Sequence, residues 1–357
     1  MASEGKYMAY VGSYSYNGKA KGITVYDVDV EKGTFKERCE VEVDNSSYVT
    51  ASNDNRTLYS VADEGVVAFR ILENGSLSRL NSAKTKGMRA CHLSMDKEDR
   101  YVFVSGFHDG KATVLRLRKD GGVGEIVDGV FHKGLGSVAE RNFRPHVNCV
   151  NITPDQKYLC AVDLGVDQVK IYKFNDETGK ITLVDMLRCE LESAPRIIKF
   201  SPDGRFAYLI CELKNYISVY SYKDGPRGPV FELVQTISTL NEYHSKGSAA
   251  CVLRFSRDWN YVLCSNAGDN SVGIFKIDRE TGMLEKICIL PVSGDYPKAA
   301  DFFPDNRHIM ALNHESNTMT IFRINYEKKY FSLWGKPLKV ETPNCVLVSE
   351  IEEAPKQ

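Results

Sequence analysis

The sequence has no surplus of charge of either sign: 46 Lys and Arg stand against 47 Asp and Glu, a net charge of -1, and the basic residues are scattered. That leaves no electrostatic reason to expect nucleic acid or an anionic membrane surface as a partner. No apolar run approaches the roughly 20 residues that span a bilayer. The opening MASEGKYMAY lacks the charged and apolar regions of a secretory signal. Together these absences point to a cytoplasmic enzyme or binding protein. Ten cysteines occur without a CxxC pair or regular spacing. Cys160, Cys211, Cys264 and Cys345 therefore read as small buried thiols inside strand-like runs, not as a metal or catalytic centre.

What the chain does have is a recurring phrase. In APRIIKFSPDGRFAYLICELKNYISVYSYKD, Ala194 to Asp224, Ile197 to Phe200 is apolar and β-rich. Ser201-Pro202-Asp203-Gly204 is a turn tetrapeptide, and Phe206 to Leu213 is apolar again. Ile217 to Tyr222 then alternates at period two, Asp224-Gly225 closes the unit, and Phe231 to Ile237 supplies a fourth strand. The phrase returns from Asn148, Cys251 and Lys298, and in weaker form from Ser46 and Arg89. The turn aspartates Asp54, Asp96, Asp155, Asp203, Asp258 and Asp305 recur at roughly 40 to 60 residues, the period of a four-stranded propeller blade. Glu31 to Thr34, Glu73 to Ser76, Asp176 to Gly179 and Arg279 to Gly282 are polar, glycine-containing turns that lead into each outer strand.

A seventh unit is split between the ends. KYMAYVGSYSYNGKAKGITVYDVD supplies second and third strands with no first, and PNCVLVS, Pro343 to Ser349, supplies a first strand with nothing after it. The expected fold is all-β: a seven-bladed β-propeller of four-stranded antiparallel blades. One domain spans 1–357, with segments 7–43 and 343–351 completing the same blade and leaving no long sheet edge bare.

In such a meander the start of each first strand and the end of each second strand share one opening. His146, Asn148, Arg196, Lys298 and Asn344 stand at the starts, and Asp63, Asp163, Glu212, Asn266 and Asn313 at the ends. Innermost strands line a propeller's channel, so these polar side chains are expected to converge on one pocket. The longest irregular pieces, Gly129 to Phe143 and Asn241 to Gly247, each precede a first strand, where loops on a rigid scaffold often carry function.

These phrases resemble a known family, the seven-bladed propeller lactonases. The family includes propeller-type 6-phosphogluconolactonases and 3-carboxy-cis,cis-muconate lactonising enzymes. The marks are YVGSYS with GITVYDVD, Pro145-His146 with TPDQKYLCAVDLGVDQV, APR with FSPDGRFAYLICEL, CSNAGDNSVGIF, and YPK with ALNHESNTMTIF. The resemblance implies a cofactor-free pocket for an anionic sugar lactone or a related acid. His146, Glu212 and Arg196 would be catalytic. His146 or Glu212 would deprotonate water, Arg196 would stabilise the developing oxyanion, and Lys298 would grip a remote acidic group. Asn148, Asp163, Asn266, Asn313, Asp63 and His314 complete the expected substrate-binding set. The chain departs from the family pattern at Asn148 and Ile197, where the family often has His, and at Ala267 and Lys298, where it often has Arg. Lysine binds phosphate as a point charge and not as a fork.

Other readings stay open. His146 also fits a hydrogen-bonded loop residue, Arg196 with Glu212 a blade-stabilising ion pair, and Asp163 with Asp167 turn formers. His108 and His314 lie at matching strand ends without tight ligand spacing, so no metal site is expected. A lactonising enzyme or a non-catalytic binding propeller, monomeric or weakly self-associating, remains the alternative to a lactone hydrolase.

Overall fold

The recurring phrase folds as its pattern dictates. In the computed structural model, which describes residues 6–139 and 141–351, the unit beginning at Ala194 gives strands Pro195–Phe200, Phe206–Cys211, Tyr216–Gly225 and Gly228–Ser238. They pair antiparallel in chain order. Pairing runs on to Gly225 opposite Gly228, so the third and fourth strands meet at a tighter hairpin than the sequence suggests. Seven such sheets stand in a ring, their innermost strands in cyclic contact. In one of them the outer strand is broken: Thr318–Asn325 pairs with Tyr330–Leu333 at one end and Leu338–Lys339 at the other.

The ring closes through the split blade. Pro343–Ile351 pairs antiparallel with Lys6–Ser13, which is followed outward by Gly22–Asp29 and Thr34–Glu42. The apolar runs that made the second strands legible are buried on both faces; Phe206–Cys211, Tyr158–Asp163 and His308–Asn313 are buried at every position.

Turn chemistry repeats as well. Ser201, Ser256 and Ser52 each donate a hydroxyl bond of 2.6 Å to the aspartate two residues on, tightening the first hairpin of their blade. Asp96 sits two residues out of step with the other turn aspartates. Its Oδ1 accepts from the Tyr101 amide at 2.6 Å, the place that Thr153 Oγ1 takes toward the Tyr158 amide at 3.0 Å. A carboxylate and a hydroxyl serve equally as acceptor there, which is why spacing alone misaligned it.

Between blades the seam is an aromatic ring set against a glycine turn. Tyr10, Tyr59, Tyr101 and Tyr208 are at most 1% exposed. Their hydroxyls donate to carbonyls in the neighbouring blade's outer turn, at Gly75, Gly121, Glu177 and Gly282, over 2.8–3.0 Å. A buried phenol needs such a partner. The turn needs glycine in return: Gly282 has φ +73°, and a Cβ there would lie 2.4 Å from Phe206.

Candidate active site

Each blade sends one residue toward the axis from the start of its innermost strand, and in five of them the strand pairing is irregular there. Val147 and Cys149 pair with Asp163 and Val162, so Asn148 between them bulges. The same skip isolates Arg196, Cys251 and Lys298, and Asn344 falls in the irregular step between Cys345 and Pro343. A bulge bends its strand and re-aims a side chain. Ser47 and Cys91 hold the corresponding places in the other two blades, five residues ahead of Ser52 and Asp96 as Asn148 is ahead of Thr153. All seven positions line one cavity of about 490 Å³ at the mouth of the channel.

Two of the seven are cationic. Arg196 donates from Nε to the Cys251 carbonyl at 2.9 Å and from Nη1 to Glu212 Oε2. Arg141 reaches the other oxygen, Oε1, at 3.0 Å, and the Glu212 side chain is only 1% exposed. Burial is the largest influence and works against both guanidinium charges, but Glu212, with Tyr296 adding at Arg141 and Cys251 at Arg196, holds both above their ordinary values. Lys298 differs. Its Nζ lies over the rings of Tyr14 and Tyr296, 5.1 and 5.9 Å from the centroids. Burial first, and then the neighbouring Arg196 charge, lower it to about 8.

Arg141 comes from the long irregular loop before the strand Val147–Ile152, and a buried latch holds that loop. Asn142 Nδ2 donates to the Leu164 carbonyl at 2.7 Å and to Asp167 Oδ1 at 3.1 Å. Asp167 also accepts from the Glu192 and Ala194 amides, both at 2.8 Å. The aspartates of the DLGVD phrase therefore tie backbone together, as the turn-forming reading expects. At the rim, Arg89 pairs with Asp63 at 3.3 Å and lies 5.0 Å from the Tyr14 ring centroid. Deeper in, Arg254 pairs with Asp301 at 3.3 Å.

The structure thus divides the expected site residues. Asn148, Arg196, Glu212, Lys298 and Asn344 line the cavity; His146, Asp163, Asn266, Asn313, Asp63 and His314 do not. Register explains most of the split. Asp163, Asn266 and Asn313 pair with Val147, Ala250 and Pro297, the position Cys211 takes opposite Pro195, and Glu212 lies one residue further on. One residue along a strand turns a side chain to the other face. Asp163 accordingly meets His132 Nδ1 at 2.7 Å and accepts the His146 amide at 2.8 Å. Asn266 Nδ2 donates to the Thr239 carbonyl at 2.8 Å, and Asn313 Nδ2 to Thr320 Oγ1 at 3.1 Å. His146 is 4% exposed, stacks on Phe107 at 4.3 Å, and places Nδ1 2.6 Å from the Phe107 carbonyl oxygen. His314 places Nδ1 3.1 Å from the Pro343 carbonyl oxygen.

Sequence reasoning missed Arg89, Arg141, Arg254, Tyr14 and Tyr296 in the lining. Arg141 sits inside the loop singled out for its length. Arg254 follows the bulged Cys251 by three residues in an otherwise apolar strand, a position where charge is a signal in itself. No group of three His, Cys, Asp or Glu that could hold a metal occurs among the described residues, and no helix among them is long and apolar enough to cross a membrane.

Residues 8–348 match the family model described as lactonase, 7-bladed beta-propeller. The chain is 29% identical over 347 residues to a 6-phosphogluconolactonase of Bacillus subtilis, covering 96% of this chain and 98% of that one. Among solved structures it superposes on a putative 6-phosphogluconolactonase of Bacteroides fragilis with TM-score 0.88 and 28% identity, over 98% and 99% of the two chains. A periplasmic gluconolactonase of Pseudomonas aeruginosa gives TM-score 0.90 at 26% identity, over 97% and 100%.

Proposed function

The chain belongs to the lactonase family of seven-bladed β-propellers, and from that premise we propose that it is a hydrolase that opens the ring of an acidic sugar lactone, of the class of 6-phosphogluconolactone, in the cavity at the channel mouth. One observation carries the reading: two guanidiniums, Arg141 and Arg196, converge on the single buried carboxylate of Glu212 in the cavity wall. Opening a lactone takes the carbonyl carbon through a tetrahedral stage at which its oxygen becomes negative. Fixed positive groups stabilise that oxygen most where water is excluded.

The parts divide accordingly. Glu212, with an arginine on each oxygen, orients the two guanidiniums. Arg196 keeps Nη2 without a partner among the described residues and so has donors left for the oxyanion. His146, behind the wall, sets the Phe107 ring that lines the cavity. The lining holds Arg89, Arg141, Arg196, Arg254 and Lys298 against Glu212 and Glu315. Asp63 and Asp301 offset Arg89 and Arg254 from outside the lining, which leaves Arg141, Arg196 and Lys298 against Glu212 and Glu315, a single positive charge in excess while Lys298 holds its proton. In a chain of net charge -1, a cationic cleft favours an anionic substrate.

The test is a panel of phosphorylated, carboxylated and neutral lactones, with ring opening followed above the spontaneous rate. Acidic lactones should turn over fastest. Arg196→Ala should lower kcat by about 10²- to 10³-fold, the usual cost of losing one oxyanion donor. Arg141→Ala, which removes the more exposed arginine, should chiefly raise KM. Spontaneous rates across the whole panel would reject the reading.

A further inference from the structure

Water attack on a lactone needs a group to take a proton, and the two bases expected from the sequence are poorly placed for it. Each Glu212 oxygen is already held by a guanidinium. His146 lies outside the cavity lining, with its ring stacked on Phe107. Resting on the lactonase reading, we infer that Lys298 is the general base of the reaction: its neutral amine takes the proton from the attacking water beside the Arg196 guanidinium.

Three features of position support this. Lys298 occupies one of the bulged positions among the seven that face the axis, so its stem starts from rigid sheet and points to the cavity. Its Nζ has no hydrogen-bond or ion-pair partner among the described residues and rests between two aromatic faces, Tyr14 and Tyr296. The groups around it disfavour a second positive charge. Arg196 and Arg141 act on it as cations, and Glu315, whose charge favours the ammonium, makes no ion pair with it and does not offset burial and Arg196. Cys251 lies beneath, its thiol pushed up by burial and therefore neutral, and His314 is likewise kept neutral by burial. The result is an amine that loses its proton at about 8. General bases work best with such a value near the operating pH.

The step balances without a cofactor. Nζ accepts a proton from water as the water oxygen bonds to the carbonyl carbon, and the π pair moves onto the oxygen held by Arg196. Collapse of the tetrahedral stage breaks the ring C–O bond. The leaving alkoxide takes the proton back from the Lys298 ammonium, which restores the amine, and the product is the hydroxy acid, whose carboxyl proton passes to solvent.

The rival role for Lys298, an ammonium that grips a remote acidic group, makes predictions of opposite sign. If Lys298 is the base, kcat/KM corrected for spontaneous opening rises about tenfold per pH unit below 8 and levels above it. Lys298→Arg, cationic throughout, loses that limb and about 10²- to 10³-fold in plateau rate, yet binds the hydroxy-acid product within about fivefold of wild type. Lys298→Met loses the limb as well. Activity that falls as pH rises through 8, or a Lys298→Arg enzyme within fivefold of wild type, overturns the proposal. So does a limb below pH 6.5, the range of His108, whose value burial lowers. Should wild type open no lactone, the lactonase reading fails by itself, and Lys298 is then judged by mass-spectrometric labelling with an amine acylating reagent. Half-maximal labelling near pH 8 supports a neutral, accessible amine, and half-maximal labelling near pH 10 rejects it.

Discussion

Lys298 shows how one side chain can cost stability and still serve a site. Its folded value is about 8 against an ordinary 10.5. Below pH 8 folded and unfolded chains both hold the proton, and the folded state carries the whole cost of a partly buried ammonium. Between 8 and 10.5 the unfolded chain keeps a proton that the folded protein has released, so stability rises with pH through that window. Lys298→Met should therefore be more stable than wild type at pH 7, by about 2 kcal/mol once partial solvent access is allowed for. The advantage should vanish as pH approaches 10.5. Urea midpoints at pH 7 and pH 9.5 measure it, and an equal difference at both would show that the ammonium is not strained. Glu212 differs in having a guanidinium on each oxygen. Arg196 and Glu212 could be paired from sequence because they start and end strands of one blade. The second arginine could not, since Arg141 arrives from a loop 71 residues away along the chain.

Strands and turns obey a stricter rule than side chains, because each is repeated and each must fit its neighbour. The bulge near the start of the innermost strands puts Asn148, Arg196, Cys251, Lys298 and Asn344 at one height. Periodicity picked out Asn148, Arg196, Lys298 and Asn344, which line the cavity, and it slipped by one residue at the ends of the second strands, where Asp163, Asn266 and Asn313 stand one step before the Glu212 position. The outer turns were easier, since glycine marks most of them. Gly282, in one such turn, has φ +73° and a Phe206 carbon 2.4 Å from its would-be Cβ, whereas Gly335, between the two pieces of the broken outer strand, has φ +76° and nothing within 4 Å. Gly335→Ala should cost about 1 kcal/mol, the backbone penalty alone. Gly282→Ala should cost about 3 kcal/mol, because the seam with the neighbouring blade must also part. Thermal melts of the two variants would separate backbone strain from packing; equal shifts would mean that Phe206 simply moves aside.

A ring is only as stable as its closure. Every other blade is built from consecutive chain, but the closing one takes its innermost strand, Pro343–Ile351, from the far end and pairs it along Lys6–Ser13. That strand also packs on both adjacent blades: Val346 joins the cluster of Leu312, and Cys345 that of Leu58. A chain ending at Thr342 should lose both seams and expose the edge of Lys6–Ser13, giving aggregation or a fall in melting temperature of more than 10 °C. Size-exclusion chromatography with a melt decides it. A monomer of unchanged stability would mean that the remaining blades hold the ring without their last strand.

The amino-acid sequence alone settles the blade, the number of blades and the closure. Alternation at period two, turn residues at fixed offsets and a first strand missing at one end but present at the other are local or countable signals, and burial in a sheet follows from them directly. It also marked Arg196, Glu212 and Lys298, because charge next to an apolar run is conspicuous. Which polar ends share a cavity depends on long-range contacts that residue order does not reveal. Asp163, Asn266 and Asn313 are one register step from the Glu212 position and bond within the scaffold. Arg141 reaches Glu212 through a loop latched by Asn142. The physical reason is the same in both cases. A side chain's face is set by strand register and bulges, and a loop's reach by its anchors, and both are contacts between residues far apart in the chain.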